Sequence, residues 1–411
     1  MTNENLAIKN EIGFIAIGQG GGNIGNLFEE AGHNVLYLNT SKEDLDTLTE
    51  AKHTHHIKNG EGCNKDRDKA KMLIMEDFDA ILEQIEGKLR EEFIFAIFSS
   101  GGGTGSGASP MLMELLINHS NKKVGAITIL PSRNETLKAY INSYECFREL
   151  EDIEGLGATF VLDNNKDDKI TINKRFVKAF SAFVEIPSHS DIRGNIDKAE
   201  VKELLATRGA AIIAKMDKNK TSTAKLIGQI AGDGRGGVGN GNNQNSSHNN
   251  SNAGNIGIFA PIEPDRVIKY IGISMTESID MDAIFKETGT PLDIYQGSNT
   301  KHTVCMLAGL SYPYTFLDSL KQKIEENQEN IMRNLGATQT KRLSGDINFL
   351  AGLGSISNSR SALSAQSTTA LTSASVSLAS LASESSELST PIQAAPVKLD
   401  RQTIFDKYKR K

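Results

Sequence analysis

The residues best suited to chemistry form a glycine-rich loop at 99–107, Ser-Ser-Gly-Gly-Gly-Thr-Gly-Ser-Gly. The apolar run at 93–98 before it predicts a buried strand, and the apolar stretch at 109–116 after it predicts a helix. Glycines let the backbone come close to a ligand, and the free N–H groups at a helix start attract phosphate. A flexible Gly/Ser linker is the alternative, but a linker would not lie between a buried strand and an apolar helix.

The loop contains no lysine, so it differs from the GxxxxGK[ST] phosphate loop. Bound phosphate would therefore have to be neutralised by backbone dipoles and by a magnesium ion. A second glycine stretch, Gly18-Gln19-Gly20-Gly21-Gly22-Asn23, follows an apolar strand at 13–18 and precedes a helix at 24–31 and a strand at 35–38. This strand–helix–strand order predicts a βαβ unit and a parallel sheet.

Together, the two glycine stretches favour a mononucleotide with several phosphates. Gly18 and Gly20 fit the start of the dinucleotide fingerprint GxGxxG, but Asn23 stands where its third glycine belongs. Asn39 ends the second strand, where that fingerprint has an acidic residue for the ribose. A nicotinamide-dependent dehydrogenase is therefore disfavoured.

The chain as a whole reads as an α/β protein: a nucleotide-binding domain on a parallel sheet, a long central helix, a smaller α/β second domain, a C-terminal helix and a disordered tail. A tract of Gly, Asn, Ser and His at 232–254 cannot bury a core and predicts a disordered loop. The predicted boundaries are 12–171 for the first domain, 172–194 for the central helix and connector, 195–312 for the second domain, 313–354 for the C-terminal helical region, 355–396 for the linker and 397–411 for a basic tail peptide.

Composition narrows the classes of partner. The net charge of −6 argues against bulk electrostatic binding of DNA or of an anionic membrane by the folded body. No apolar run approaches the roughly 20 residues of a membrane span. The three cysteines are far apart in the sequence, which suggests reduced thiols. We therefore expect a cytoplasmic protein without membrane contact. The histidines at 53, 55 and 56 suit a loop better than a zinc site, and no metal ligand is assigned.

The two glycine stretches resemble those of a known family. The segment 101–107 looks like the signature loop of the tubulin/FtsZ family, which holds nucleotide phosphates, and 18–23 looks like that family's first phosphate loop. The resemblance implies binding of GTP or GDP with Mg²⁺ by the first domain. Asn39 lies in the second loop, Glu135 resembles the family's ribose contact, and Asn164 and Asn173 resemble its sugar and base contacts. The implied nucleotide contacts are Gly18, Gln19, Gly20, Gly21, Gly22, Asn23, Asn39, Gly101, Gly102, Gly103, Thr104, Gly105, Ser106, Gly107, Glu135, Asn164 and Asn173.

A further segment at 195–201, Asn-Ile-Asp-Lys-Ala-Glu-Val, resembles the family's synergy loop. In that family the loop reaches the nucleotide site of the neighbouring subunit, and its acids help to position or activate the attacking water. The resemblance thus implies that Asp197 and Glu200 are catalytic in a site completed by the next subunit, giving assembly-dependent GTP hydrolysis. The alternative from the residues alone is that both acids cap a helix N-terminus.

Within the family the sequence is similar to the TubZ group, plasmid and phage tubulins of clostridial type. This implies a head-to-tail homopolymer that moves plasmid or phage DNA through a TubR-like DNA-binding adaptor, with indirect DNA contact. The adaptor would meet the tail peptide, whose Ile404, Phe405 and Tyr408 favour a protein groove over DNA alone. A solvated basic end is the alternative for the tail. An FtsZ-type division GTPase and a nucleotide-binding scaffold without hydrolysis are the alternatives for the whole protein.

Overall fold

The computed structural model describes residues 8–48, 50–188, 194–231, 257–339 and 398–409. The chain divides into two units. One comprises Met1–Asn327 together with Lys398–Lys411, and the other comprises Gln328–Val397. In the second unit, the described residues are the final turns of a helix. The predicted insert at 232–254 and linker at 355–396 lie outside the described residues, and the domain boundaries stay predictions.

A single mixed sheet runs through the first unit. Among the described residues it has ten strands in the order β3-β2-β1-β4-β5-β6-β7-β10-β8-β9. Neighbouring strands are parallel except around β10, which is antiparallel to both β7 and β8. The strands are β1 (Ile12–Ile17), β2 (Val35–Asn39), β3 (His53–His56), β4 (Phe93–Ser99), β5 (Lys123–Leu130), β6 (Ala158–Asp163), β7 (Gly209–Asp217), β8 (Tyr270–Met275), β9 (Asp293–Ser298) and β10 (His302–Leu310).

The helices connect these strands as expected for an α/β fold, which confirms the predicted fold class. They are α1 (Gly18–Glu30), α2 (Lys42–Asp46), α3 (Arg67–Lys88), α4 (Thr104–His119), α5 (Leu137–Glu151), α6 (Lys169–Val184), α7 (Lys198–Ala206), α8 (Thr223–Ile230), α9 (Met281–Thr288), α10 (Tyr314–Gln339) and α11 (Arg401–Lys409). None of the helices in the described residues is long and apolar enough to cross a membrane.

Aromatic side chains fix α1 and α6 on the sheet. Phe14 of β1 stacks on Phe28 of α1 with ring centroids 3.9 Å apart, and Phe180 of α6 meets Phe14, Phe28 and Phe95 edge-on at 5.4–5.7 Å. These side chains are fully buried, and each contributes about 1.5–3 kcal/mol by leaving water. On another part of the sheet α4 contacts both α3 and α5.

Several predicted element limits are corrected by the structure. Helices α1 and α4 begin at Gly18 and Thr104, inside the glycine stretches that predicted loops, because their first turns pack directly against strand backbone. The histidine segment 53–56 is an edge strand rather than a loop, since its backbone pairs with β2. The basic tail is not a solvated end: residues Arg401–Lys409 form a helix whose Ile404, Phe405 and Tyr408 are buried.

Candidate functional site

A cleft of about 550 Å³ opens where the parallel strands β1, β4 and β5 end and the next elements begin. In α/β sheets this carboxyl edge is the usual place for a ligand. The first turns of α1 and α4 both line the cleft. Their free N–H groups and helix dipoles make it suitable for a polyphosphate.

Close approach of three loops explains why the cleft is built from glycines. Gly18 has a φ of +68°, and a Cβ there would lie 3.4 Å from the backbone nitrogen of Gly105. A Cβ on Gly103 would lie 2.8 Å from the Cα of Lys65, in the loop that leads into α3. A side chain at Gly18 would be strained by the positive φ, and one at Gly103 would push the two loops apart, so the backbone itself forms the walls.

Buried hydrogen bonds hold these loops together. Thr40 Oγ1 lies 2.7 Å from Thr104 Oγ1 and 3.3 Å from Cys63 Sγ, which joins the ends of three loops. Asn142 Nδ2 donates to the carbonyl oxygens of Gly102 at 2.7 Å and of Lys65 at 3.0 Å. The cleft is therefore fixed by a supporting layer of polar side chains before any ligand enters.

Two further segments present the remaining polar groups. Asn165, after β6, accepts from the backbone N–H of Arg133 at 2.7 Å and donates to Asp163 at 2.7 Å, which orders the turn carrying Asn164. At the start of α6, the Asp168 side chain accepts from the Thr171 amide, and hydrogen bonding with Thr171 lowers the pKa of Asp168. This cap places Lys169 and Asn173 in the wall of the cleft.

Most of the residues predicted to bind nucleotide do line the cleft. Those found there are Gly18, Gln19, Gly20, Asn23, Asn39, Gly101, Gly102, Gly103, Thr104, Gly105, Glu135, Asn164 and Asn173. Their individual contacts with a nucleotide stay predictions, because they were read from sequence motifs.

Four residues of the predicted set lie outside the lining and have packing positions: Gly21, Gly22, Ser106 and Gly107. Their contact with a nucleotide stays a prediction. A Cβ on Gly21 would lie 2.1 Å from the carbonyl oxygen of Ile97, and one on Gly107 would lie 2.5 Å from that of Arg67. Gly22 is buried beside Leu48, and the Ser106 hydroxyl donates to the carbonyl oxygen of Gly102. These residues let α1 and α4 sit close to β4 and α3.

The two predicted catalytic acids are not in the cleft of their own chain. Asp197 caps α7: its side chain accepts from the Glu200 amide at 2.9 Å, and the Glu200 carboxylate accepts from the Asp197 amide at 2.7 Å. Both hydrogen bonds are exposed. Lys202, further along α7, bridges Glu11 and Glu92. Burial of Glu11 is outweighed by its hydrogen bonds with Lys198 and Lys202, and the pKa of Glu11 is lowered. The acid pair is thus held rigidly at a surface.

Sequence reasoning missed two lysines in the wall of the cleft, Lys65 and Lys169. Lys65 Nζ lies 3.3 Å from a Glu135 carboxylate oxygen and 3.1 Å from Thr136 Oγ1. Its position does not mark it as part of the site, because it lies more than thirty positions before the glycine-rich loop at 99–107. The turn residues at 59–64, with Asn59 and Asn64 at positive φ, were the available signal.

Comparison with known proteins shows which family has a site of this kind. Residues 11–171 match the model of the Tubulin/FtsZ family, GTPase domain. A tubulin-like protein TubZ from Clostridium botulinum C phage is 30% identical over 330 residues, which cover 78% of this chain and 85% of that protein. The chain belongs to the tubulin/FtsZ family. The resemblance noted in the sequence is confirmed, and the cleft lies in the family's GTPase domain.

Solved structures agree with this assignment. The tail-truncated TubZ of Clostridium botulinum phage c-st superposes with a TM-score of 0.64 at 29% identity, covering 79% of this tubulin/FtsZ-family chain and 99% of that one. A TubZ of Bacillus thuringiensis serovar israelensis, solved as a GTPγS-form protofilament, has the same fold at 17% identity, with a TM-score of 0.62 over 81% of this chain and 94% of that one.

Proposed function

We propose that this protein is a filament-forming GTPase that moves plasmid or phage DNA in the cytoplasm. It binds GTP in the cleft between α1 and α4 and polymerises head to tail. It hydrolyses GTP where Asp197 and Glu200 of one subunit meet the cleft of the next. A DNA-binding adaptor, TubR-like in kind, links the filament to DNA through the tail.

One observation carries this proposal: the polyphosphate cleft and the rigid acid pair are separate on one chain. Phosphoryl transfer needs an oriented water and charge neutralisation more than covalent chemistry. Exposed acids fixed by a capping box are well placed to supply that orientation to a second copy. The GTPγS-form protofilament of the Bacillus TubZ supports carrying protofilament assembly over to this chain.

The donor set of the cleft suits magnesium as part of this proposal. Among the described residues no group of three or more His, Cys, Asp or Glu could hold a metal ion by itself. The cleft does contain the carboxylates of Asp44 and Glu61. Mg²⁺ in nucleotide sites takes one or two carboxylates together with substrate phosphates and water, and it neutralises phosphate charge.

Indirect DNA contact is supported by charge. The net charge of −6 makes direct binding to DNA phosphates by the body unfavourable, while residues 398–411 are basic. Because that segment also carries Ile404, Phe405 and Tyr408, a protein groove is a better partner for it than a phosphate backbone.

Glu200→Gln tests the catalytic proposal with the fold preserved. The amide oxygen can still accept from the Asp197 amide, so the capping box is kept while the carboxylate charge is lost. We expect phosphate release to fall by at least about 100-fold, as for loss of a group that activates water. Affinity for a fluorescent GTP analogue and filament formation by electron microscopy should match wild type.

Glu287→Gln, an exposed acid on α9, is the matched control and should keep full turnover. Wild-type turnover in Glu200→Gln would remove this carboxylate from the mechanism. Filaments of the wild-type chain without any phosphate release would instead favour a nucleotide-binding scaffold.

A further inference from the structure

The C-terminal helix α11 lies in a groove on its own body, formed by α3 and α4. Its apolar face is buried there: Ile404 and Tyr408 are at most 2% exposed and Phe405 is 8% exposed. Phe405 meets Phe78 of α3 edge-on, with ring centroids 6.5 Å apart. This is the face of the tail that the sequence offered as a recognition surface, and in this conformation the groove occupies it.

Charge complementarity shows that the groove suits this particular helix. Lys407 Nζ donates to both oxygens of Glu114 at 2.6 and 2.8 Å, and Glu114 of α4 is 2% exposed. A carboxylate so deeply buried is costly unless a cation is supplied, and the tail supplies one. Docking of α11 over Glu114 therefore depends on a basic side chain at position 407.

Charged and hydrogen-bonding contacts also hold the start of α11. Arg401 donates to Asp79 at 2.6 Å, and its guanidinium lies 5.0 Å from the ring centroids of both Phe78 and Phe405. The backbone N–H of Leu399 donates to Asn118 Oδ1 at 2.7 Å, at the end of α4. Apolar, cation–π and charge-assisted contacts therefore run along the whole helix.

We propose that the groove between α3 and α4 is a reversible docking site for the chain's own basic C-terminal helix, and that docking withholds the tail's apolar face from other partners. The contacts that hold α11 in the groove of α3 and α4 are non-covalent, so the helix can leave without the body unfolding. A partner that needs Ile404, Phe405 and Tyr408 has to compete with Glu114 and Phe78 for them. This inference concerns the tail and the groove alone and does not depend on GTP hydrolysis or DNA movement.

Full-length variants test the proposal. Phe405→Asp places a charge in the groove and should release the helix, while Gln402→Asp adds the same charge on the exposed face of α11 and should not. Lys407→Glu is a second releasing variant, because it sets two carboxylates against each other. By hydrogen–deuterium exchange, the amides of 401–409 should be protected in wild type and in Gln402→Asp and lose that protection in both releasing variants.

A labelled synthetic peptide of residues 398–411 provides the second readout. It should bind the Phe405→Asp chain at least tenfold more tightly than wild type, whose groove is filled. A Lys407→Glu version of the peptide should bind that open groove at least tenfold more weakly. Equal exchange at 401–409 in all chains, or equal peptide binding by wild type and Phe405→Asp, would overturn the proposal. Protection that vanishes on dilution would mean docking between copies and would overturn the intramolecular form.

Discussion

Adjacent glycines in the first phosphate loop have different physical roles. A Cβ on Gly21 would lie 2.1 Å from the Ile97 carbonyl, which belongs to β4 and cannot move, whereas a Cβ on Gly22 would make an ordinary 3.6 Å contact with Leu48. We expect Gly21→Ala to lower the free energy of unfolding by about 3 kcal/mol through overpacking. Gly22→Ala should stay within about 1 kcal/mol of wild type, since alanine also favours helix.

Urea unfolding of the two variants, with full-length wild type alongside, measures this difference. Gly22→Ala is the matched control, because it makes the same chemical change one residue further along α1. Equal losses in the two variants would contradict the packing role of Gly21.

The two lysines of the cleft could not be predicted from the local sequence. The two glycine stretches could be recognised by residue type and by the strand before each, and nine of the contacts predicted in them line the cleft. The other four predicted residues in the lining came from the family resemblance: Asn39, Glu135, Asn164 and Asn173. Lys65 and Lys169 do not lie in a glycine stretch after an apolar strand, so no local pattern indicates them. They reach the cleft because the turn before α3 and the cap of α6 come to the same sheet edge, which only the topology determines.

At the scale of elements, the turn between α1 and β2 buries a neutral histidine. His33 is 4% exposed and meets Phe14 and Phe28 edge-on. Burial, helped by the charge of Lys9, lowers the pKa of His33 to about 4 from 6.5. Between these values the unfolded chain binds a proton that the native chain does not, so stability rises with pH across this window.

The contribution of His33 is complete above pH 6.5 and is lost as the pH falls toward 4, an effect of about 3 kcal/mol at 1.36 kcal/mol per pH unit. His33→Leu should remove this part of the pH dependence, as measured by urea unfolding at pH 4.5 and 7. His53→Gln, on the half-buried edge strand β3, should keep it. An unchanged pH dependence in His33→Leu would refute the assignment.

Two strands show why elements without an apolar pattern escape prediction. β3 reads His-Thr-His-His and pairs with β2 through its backbone, as an edge strand can, and its His55 is held by Asp77 at 2.7 Å. β9 reads Asp-Ile-Tyr-Gln-Gly-Ser and is held by Tyr295, which stacks on Tyr270 at 5.8 Å and donates to Glu203 at 2.8 Å. Neither shows the alternation of apolar and polar residues on which strand prediction depends.

At the scale of the whole molecule, the parallel βαβ order of the first domain could be predicted because several apolar strands are followed by a polar, glycine- or asparagine-rich stretch. The continuation of the sheet from β6 into β7 and β10 was not, since it rests on pairings between distant segments. The docking of α11 could not be predicted for the same reason, because its partners Phe78 and Glu114 lie about three hundred residues earlier in the sequence. A tail that reads as free can therefore be packed on the body.

In the proposed function, one subunit completes the GTP site of the next. The most direct test is phosphate release per molecule, measured for the wild-type chain over a 100-fold range of protein concentration at saturating GTP and Mg²⁺. We expect turnover per molecule to be low in dilute protein, to rise with concentration and to level off where filaments are seen. Turnover that is substantial and independent of concentration would contradict the claim, because each chain would then hold a complete site.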